Sequence, residues 1–386
     1  MKWEMVKLQT VAEVIAGQSP ESKYYNQAGN GIPFFQGKAD FGLDYPNVRY
    51  FCTAPNKIAK PNDILMSVRA PVGPTNICNI EACIGRGLAA IRSGKNLDFK
   101  YLYFFLKAYE HKLAESSNGS TFSAITTGVV KEIPIPLPPL STQRRIAEIL
   151  DKADALRQKD QALLRKYDEL AQAVFVDMFG DPVRNEKGWE VRKLGDCIDR
   201  IQIGPFGTQL HESDYIHDGI PIINPMHMKN LKVFPNKKYS ITKEKYFSLE
   251  QYWLKENDVI MARRGEMGRC ALITKQEAGF LCGTGSLFLS VNQSKLDPFF
   301  LVYLLSRDST RKSLENVAAG TTMANLNKTI VSDFRIITPP VESQRAFSKA
   351  ITLSENSINQ VNASSEHSNY LFQSLLQKAF TGKLVE

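Results

Sequence analysis

Long apolar runs are missing from this sequence. None approaches the roughly 18 residues that a bilayer-spanning helix needs, so no membrane association is expected. Cysteine is scarce, six in 386 residues, and no two of them form a Cys-x-x-Cys pair. That density is far from a disulfide-stapled domain and points to reduced thiols in a cytosol. The opening residues Met1-Lys2-Trp3-Glu4-Met5 carry no apolar stretch of the secretory kind, and a cytoplasmic protein is expected. With 23% charged and 10% aromatic residues, the chain is not intrinsically disordered. A 43% hydrophobic fraction suffices for the cores of two or three domains at this length. The excess of 48 Lys and Arg over 40 Asp and Glu, a net charge of +8, raises a polyanionic partner, nucleic acid first.

Catalytic constellations are missing as well. Asn224-Pro225-Met226-His227 approaches the Asn/Asp-Pro-Pro-aromatic motif of amino-methyltransferases but lacks the second proline and the stacking ring. Gly283-Thr284-Gly285 is too short for a dinucleotide loop, and there is no Walker-type phosphate loop. Glu21-Ser22-Lys23 and Glu110-His111-Lys112 have nuclease-like Glu-x-Lys spacing that arises often by chance, and Glu110 is expected to face solvent from an apolar helix. His211, His217 and His227 share a region without the Cys or carboxylate spacing of a zinc site and read as loop histidines. Cys78, Cys83, Cys270 and Cys282 read as small core hydrophobes. No catalytic residue, metal or resident cofactor is expected.

What is present is a duplication. Trp3-Glu4-x-x-Lys7-Leu8 returns as Trp189-Glu190-x-x-Lys193-Leu194, a shift of 186. Gly31-Ile32-Pro33 returns as Gly219-Ile220-Pro221 at 188, and Asn62–Met66 as Asn257–Met261 at 195. Arg69 and Gly73 match Arg264 and Gly268 at the same 195, and Gly85-x-Gly87 answers Gly283-x-Gly285 at 198. From Gly119/Gly320 onward the shift holds at 201, through Pro138-Pro139/Pro339-Pro340, Gln143-Arg144/Gln344-Arg345 and Phe179/Phe380. A shift that only grows is a duplication with insertions, and its period far exceeds that of solenoid repeats.

Each copy has two textures. Residues 1–140 and 181–341 hold short apolar or alternating runs broken by Gly, Pro and Asn; Asp63–Arg69 and Asp258–Arg264 read as strands. Leu97–Leu113 and Asp297–Leu314 have helical spacing. The segments after the proline runs, 141–180 and 342–386, read as long helices of about 38 residues, on the order of 55 Å each. In the first, Ile146, Ile149, Ala153, Leu156, Leu163, Tyr167, Leu170 and Val174 alternate by 3 and 4 as a coiled-coil seam that Asp160 interrupts. The second carries Phe347, Ile351, Ile358, Val361, Phe372 and Leu375 around a polar middle, Asn362–Ser368. The expected fold is α+β: two pseudo-symmetric mixed α/β domains separated by two long antiparallel coiled-coil helices, the last ending near the first domain.

These motifs resemble the specificity subunit of type I restriction–modification systems. The likeness rests on Gly119-Ser120-Thr121, Ile133–Leu140, Gln143-Arg144 and Ile146, and on Gly320-Thr321-Thr322, Asn327-Lys328, Pro339-Pro340 and Gln344-Arg345, and it covers essentially the whole chain. The resemblance implies a non-catalytic subunit whose two target recognition domains each read one half of a split sequence in double-stranded DNA. It implies that the helices set the gap and dock two methyltransferase (M) subunits, which use S-adenosylmethionine to methylate adenine. A restriction (R) subunit can join.

No base-reading residue carries over by motif from so variable a family, so candidates come from the residues themselves. Base edges are read by Arg, Lys, Asn and Gln. Gln36 and Lys38 in the first copy, and Asn224, His227 and Lys229 in the second, follow the matching Gly-Ile-Pro strands. Arg69, Arg86, Arg263, Arg264 and Arg269 form a second set, in which the repeated Arg69/Arg264 is read as a phosphate clamp or a fold support. Gly17-Gln18-Ser19-Pro20 and Gly204-Pro205-Phe206-Gly207 read as turns. Gln143, Arg144, Gln344 and Arg345 are the expected partner-binding residues. Two other readings, a self-contained DNA methyltransferase or nuclease and a coiled-coil adaptor without a sequence-specific DNA role, explain less of this pattern.

Overall fold

The structure, a computed structural model, describes residues 3–117, 124–319 and 325–385. The Gly119-Ser120-Thr121 and Gly320-Thr321-Thr322 motifs lie outside the described residues. Two compact units emerge, one of Met1–Leu163 with Val361–Glu386 and one of Leu164–Gln360. Each unit therefore takes a share of both long helices, which the division of the sequence into four segments does not anticipate.

The first unit is built on an antiparallel sheet of β1 (Ala12–Ala16), β6 (Leu88–Ser93), β3 (Ile64–Ser67) and β4 (Thr75–Ile77), in that order. A second sheet pairs β2 (Ile32–Phe35) in parallel with β5 (Ala82–Ile84), Phe34 opposite Cys83. The helix α1 (Phe99–Ser117) comes next, and α2 (Leu140–Phe179) is the first long helix. The second unit repeats this order. β7 (Ile198–Ile203), β14 (Ser286–Val291), β11 (Asp258–Ala262) and β12 (Cys270–Leu272) form the antiparallel sheet. β8 (Ile220–Ile223) runs parallel to β13 (Leu281–Cys282), Ile222 opposite Leu281. Between these strands a small hairpin joins β9 (Met228–Lys229) to β10 (Lys232–Val233). Two helices come after the sheet, α3 (Pro298–Ser306) and α4 (Asp308–Ala319), and the second long helix is α5 (Val341–Phe380).

The single helix expected over Asp297–Leu314 is thus two. The repeat shift is 199 at Leu97/Leu296 and 201 at Leu113/Leu314, so two extra residues fall inside the helix. In an unbroken helix they would rotate every later side chain by about 200°. The chain instead breaks at extended Arg307 (φ −64°, ψ 138°), and both Leu113 and Leu314 stay buried.

Each sheet packs α1 or α3 against its long helices through aromatic residues. In the first unit Tyr101, Phe104 and Phe105 meet Phe372 and Phe380 of the C-terminal segment, beside Ile146 and Leu150 of α2. In the second, Phe175 and Phe179 meet Phe300 and Phe347. In both units the contacts pair one end of α2 with the opposite end of α5, so the segments run antiparallel. The C-terminal helix ends on the first unit, as expected. Asp160, the residue that interrupts the seam, is buried and accepts hydrogen bonds from Ser364 Oγ (3.1 Å) and Ser368 Oγ (2.9 Å). The polar middle of α5 is therefore the complement of the polar residue on α2.

Part of the expected seam does not close. Ile146 and Ala153 are buried, whereas Leu156 and Leu163 in the first unit and Leu170 in the second are exposed. The elbows are tied by the repeated glutamines. Gln143 Oε1 accepts from Asp98 N (2.8 Å) while its Nε2 donates to Asn96 O and Pro138 O; Gln344 Oε1 accepts from Asp297 N (2.8 Å) while its Nε2 donates to Pro339 O. Both side chains are fully buried, which corrects their assignment as partner-binding residues: they lock the start of each long helix to the sheet domain. Arg144 and Arg345 are exposed, and Arg345 Nη2 donates to Gln293 O (2.9 Å).

Candidate nucleic-acid interface

Both units carry one recurring piece of backbone, a junction packed by glycines. In the first unit the end of β1, the end of β2 and the turn from β5 to β6 meet there. Gly17 N donates to Leu88 O, Gln18 N to Ile84 O, Gly85 N to Phe35 O, and Val68 N to Gly87 O, at 2.8–3.0 Å. A Cβ on Gly17 would fall 2.2 Å from Gly85 O, and one on Gly87 would fall 2.3 Å from Gln36 O. Only glycine permits this approach. Ser19 Oγ accepts from Arg86 N (3.2 Å). The result draws Gln36, Arg86 and the strand end before Arg69 to one place, and the side chains of Gln36, Arg86 and Arg69 are exposed.

The second unit repeats the arrangement. Gly204 N donates to Ser286 O, Gly283 N to Ile223 O and Arg263 N to Gly285 O. A Cβ on Gly204 would lie 2.0 Å from Gly283 O, and one on Gly283 would lie 2.1 Å from Asn224 Oδ1. Half-buried Asn224 stands where Gln36 does, half-buried Thr284 where Arg86 does, and exposed Arg264 where Arg69 does. The same frame presents different side chains.

The loop bearing Gln36 in one unit and Asn224 in the other is held from beneath, by different chemistry. Asp40 is buried and accepts from Gln36 N (2.6 Å), Gly37 N (3.2 Å) and Arg49 Nε (2.9 Å). Its carboxylate raises the Arg49 guanidinium pKa through that hydrogen bond. In the second unit His227 Nδ1 accepts from Asn224 N (3.1 Å), with the ring edge-on to Tyr239. His227 is buried and burial lowers its pKa from the usual histidine value. This corrects its assignment as a DNA-contacting residue: its ring is buried and its Nδ1 braces Asn224.

Two of the expected arginines also change role. Arg263 is buried, its Nε donates to Asn325 Oδ1 (3.0 Å), and burial, with Arg264 beside it, lowers its pKa. It is an internal support rather than a surface reader. Arg269 is half-buried, forms an ion pair with Glu266 and donates from Nη1 to Pro225 O (3.3 Å). Lys38 and Lys229 are exposed. Gly85-x-Gly87 and Gly283-x-Gly285 signal the junction in the sequence. Asp40 leaves a single trace there, an acidic residue four positions after Gln36.

Glu110 is half-buried rather than solvent-facing, and burial raises its pKa; Glu21 pairs with Lys23 (2.6 Å). Among the described residues no cluster of His, Cys, Asp and Glu could hold a metal ion, and no helix is long and apolar enough to cross a membrane. All six cysteines are unpaired and buried; burial pushes Cys83 up to about 11 and Cys78 and Cys270 to about 12, as core thiols rather than nucleophiles.

Two unlike junctions on one duplicated scaffold, each carrying residue types able to read base edges, mark a duplicated α+β protein of the DNA-specificity class. The chain belongs to the type I restriction modification DNA specificity domain family, whose sequence profile matches residues 1–165 and again 186–366. It is 45% identical over 157 residues to a putative specificity subunit of the type I restriction enzyme MjaX of Methanocaldococcus jannaschii, a match covering 40% of this chain and 37% of that protein. The specificity subunit of MjaIX from the same organism is 25% identical over 374 residues, covering 88% of this chain and 83% of the relative. The crystal structure of a type I restriction-modification S subunit from M. genitalium shares the fold over 98% of this chain and 96% of its own, with a TM-score of 0.65 at 15% identity.

Proposed function

We propose that this chain is the DNA-recognition subunit of a type I restriction–modification complex and has no catalytic activity of its own. Each unit reads one half of a bipartite duplex target, and the long helices fix the gap between the halves. The observation that carries this reading is the glycine junction built twice with different side chains, Gln36 and Arg86 in one unit and Asn224 and Thr284 in the other. Identical frames suit a shared approach to the duplex, and different side chains suit different bases. The net charge of +8 supplies the general attraction to phosphates.

Adenine methylation belongs, in this reading, to methyltransferase subunits that bring S-adenosylmethionine. Two such subunits dock on the exposed leucines of α2, with Arg144 and Arg345 near the elbows, and restriction subunits join that assembly. The test is substitution of Arg86 by Ala in the complex, with methylated adenines then mapped. One half-site should lose discrimination at about one base, by a factor of about 10 to 100, with the other half-site unchanged. Methyl transfer by this chain alone, or an Arg86 variant that alters both half-sites, would refute the reading.

A further inference from the structure

In the second unit a cavity of about 400 Å³ opens between the β9–β10 hairpin and α4, walled by Met226, Lys229, Glu266, Arg269, Ser306 and Arg311. Arg269 is neutralised by its ion pair with Glu266. Lys229 and Arg311 have no ion pair among the described residues, and Arg311 Nε is buried with no acceptor among them. Ser306 Oγ is already committed to Tyr303 O (2.7 Å). Lys229 and Arg311 therefore line one cavity whose only lining carboxylate among the described residues, Glu266, is paired with Arg269, and an unsatisfied buried donor is costly unless an acceptor arrives.

The corresponding corner of the first unit has the opposite character. Gly268 sits against Arg311 and Gly73 sits against Glu110, the same pair carried by the local repeat shifts of 195 and 201. The loop backbone that meets β12 at Leu231 O meets β4 at Asp44 O. So Glu110 and Asp44 occupy, in one unit, the place that Arg311 and the Lys229 hairpin occupy in the other. One corner presents carboxylates, with Lys38 and Lys107 near Glu110, where the other presents Lys229 and Arg311. The cavity also adjoins the junction, since Arg269 Nη1 donates to Pro225 O and Pro225 packs on Gly285.

We propose that this cavity binds one backbone phosphate of the DNA half-site read by the second unit, through Lys229 and Arg311, and that the first unit has no such contact. This site rests on the DNA-recognition role proposed for the chain. An arginine fork matches the two free oxygens of a phosphodiester, and the adjacent lysine adds charge without fixing register. The contact positions the duplex and carries no base information.

The experiment measures affinity of the assembled complex against salt concentration, with wild type, Arg311→Ala, Lys229→Ala and, as the first-unit control, Glu110→Gln. Arg311→Ala should weaken binding about tenfold, equally for target and unrelated duplexes, and should flatten the slope of log affinity against log salt by about 0.9. Glu110→Gln should leave the slope unchanged. A second measurement does not depend on the variants folding: wild type is titrated with target duplexes in which single phosphates are replaced by neutral methylphosphonates. One position in the second half-site should reproduce the loss in wild type; where Arg311→Ala assembles, the effect of that position should disappear in it. An unchanged slope in Arg311→Ala, a changed methylation motif, or no sensitive phosphate in that half-site would overturn the proposal. Stabilisation of the chain by inorganic phosphate through Arg311 without any change in the DNA salt slope would also overturn it, as the mark of a free-anion site. Failure of wild type to prefer its target over unrelated DNA would strike at the DNA-recognition role instead, and so is told apart.

Discussion

His227 shows how far a residue's role depends on its neighbour three positions away. Its Nδ1 accepts from Asn224 N, so the neutral ring holds the loop, and protonation would turn that acceptor into a donor facing another donor. The folded pKa is lowered by burial, so the unfolded chain takes up the proton first, near pH 6.5. Stability contributed by the neutral ring is present above that pH and is lost as pH falls below it, at up to about 1.4 kcal/mol per unit. Urea unfolding of wild type and His227→Gln from pH 7.5 to 5.5 checks this. The stability advantage of wild type should shrink as the pH drops; a constant difference would show that the ring is not titrating. In the sequence, Asn224-Pro225-Met226-His227 is a polar string after a strand, and composition favours exposure for such residues. The burial of its last member depends on Tyr239, twelve residues on, which no local pattern announces.

At the scale of elements, Asp160 and the Asn362–Ser368 stretch look in the sequence like separate weaknesses of two helices. They are one feature, because Ser364 and Ser368 donate to Asp160 across 204 and 208 residues. Each helix alone shows only a polar residue in an apolar stripe, and cross-helix pairing is invisible until register is known. Ser368→Ala should leave the buried carboxylate short of a donor and destabilise the first unit by about 1–3 kcal/mol. Replacing the layer with Asp160→Leu, Ser364→Ala and Ser368→Leu should recover most of that loss, since apolar packing commonly matches a buried polar cluster. Thermal unfolding of the three proteins decides it, and a triple variant no better than Ser368→Ala would show that the layer contributes more than satisfied hydrogen bonds. The strands and both long helices were legible from period and proline punctuation. The break at Arg307 was not, because an insertion of two residues leaves the apolar composition of 297–314 intact while spoiling its phase.

For the whole molecule, duplication is the strongest message of the sequence, and the structure repeats it in detail: two four-stranded sheets of the same order, two parallel pairs and two glycine junctions. The scaffold was readable because its constraints are local and doubled, as at Gly85-x-Gly87 and Gln143. The candidate residues were only partly readable because exposure, not residue type, separates surface groups from internal supports. Gln36, Arg86 and Arg264 stay at the surface, whereas Arg263, His227, Gln143 and Gln344 turn inward. The central claim is that two unlike junctions read two unlike half-sites. Single-molecule sequencing of host DNA, after expression of this chain with its methyltransferase subunit, tests it most directly. The account predicts methylated adenines in a split motif with two different halves and one fixed gap. A continuous motif, or two identical halves, would contradict it.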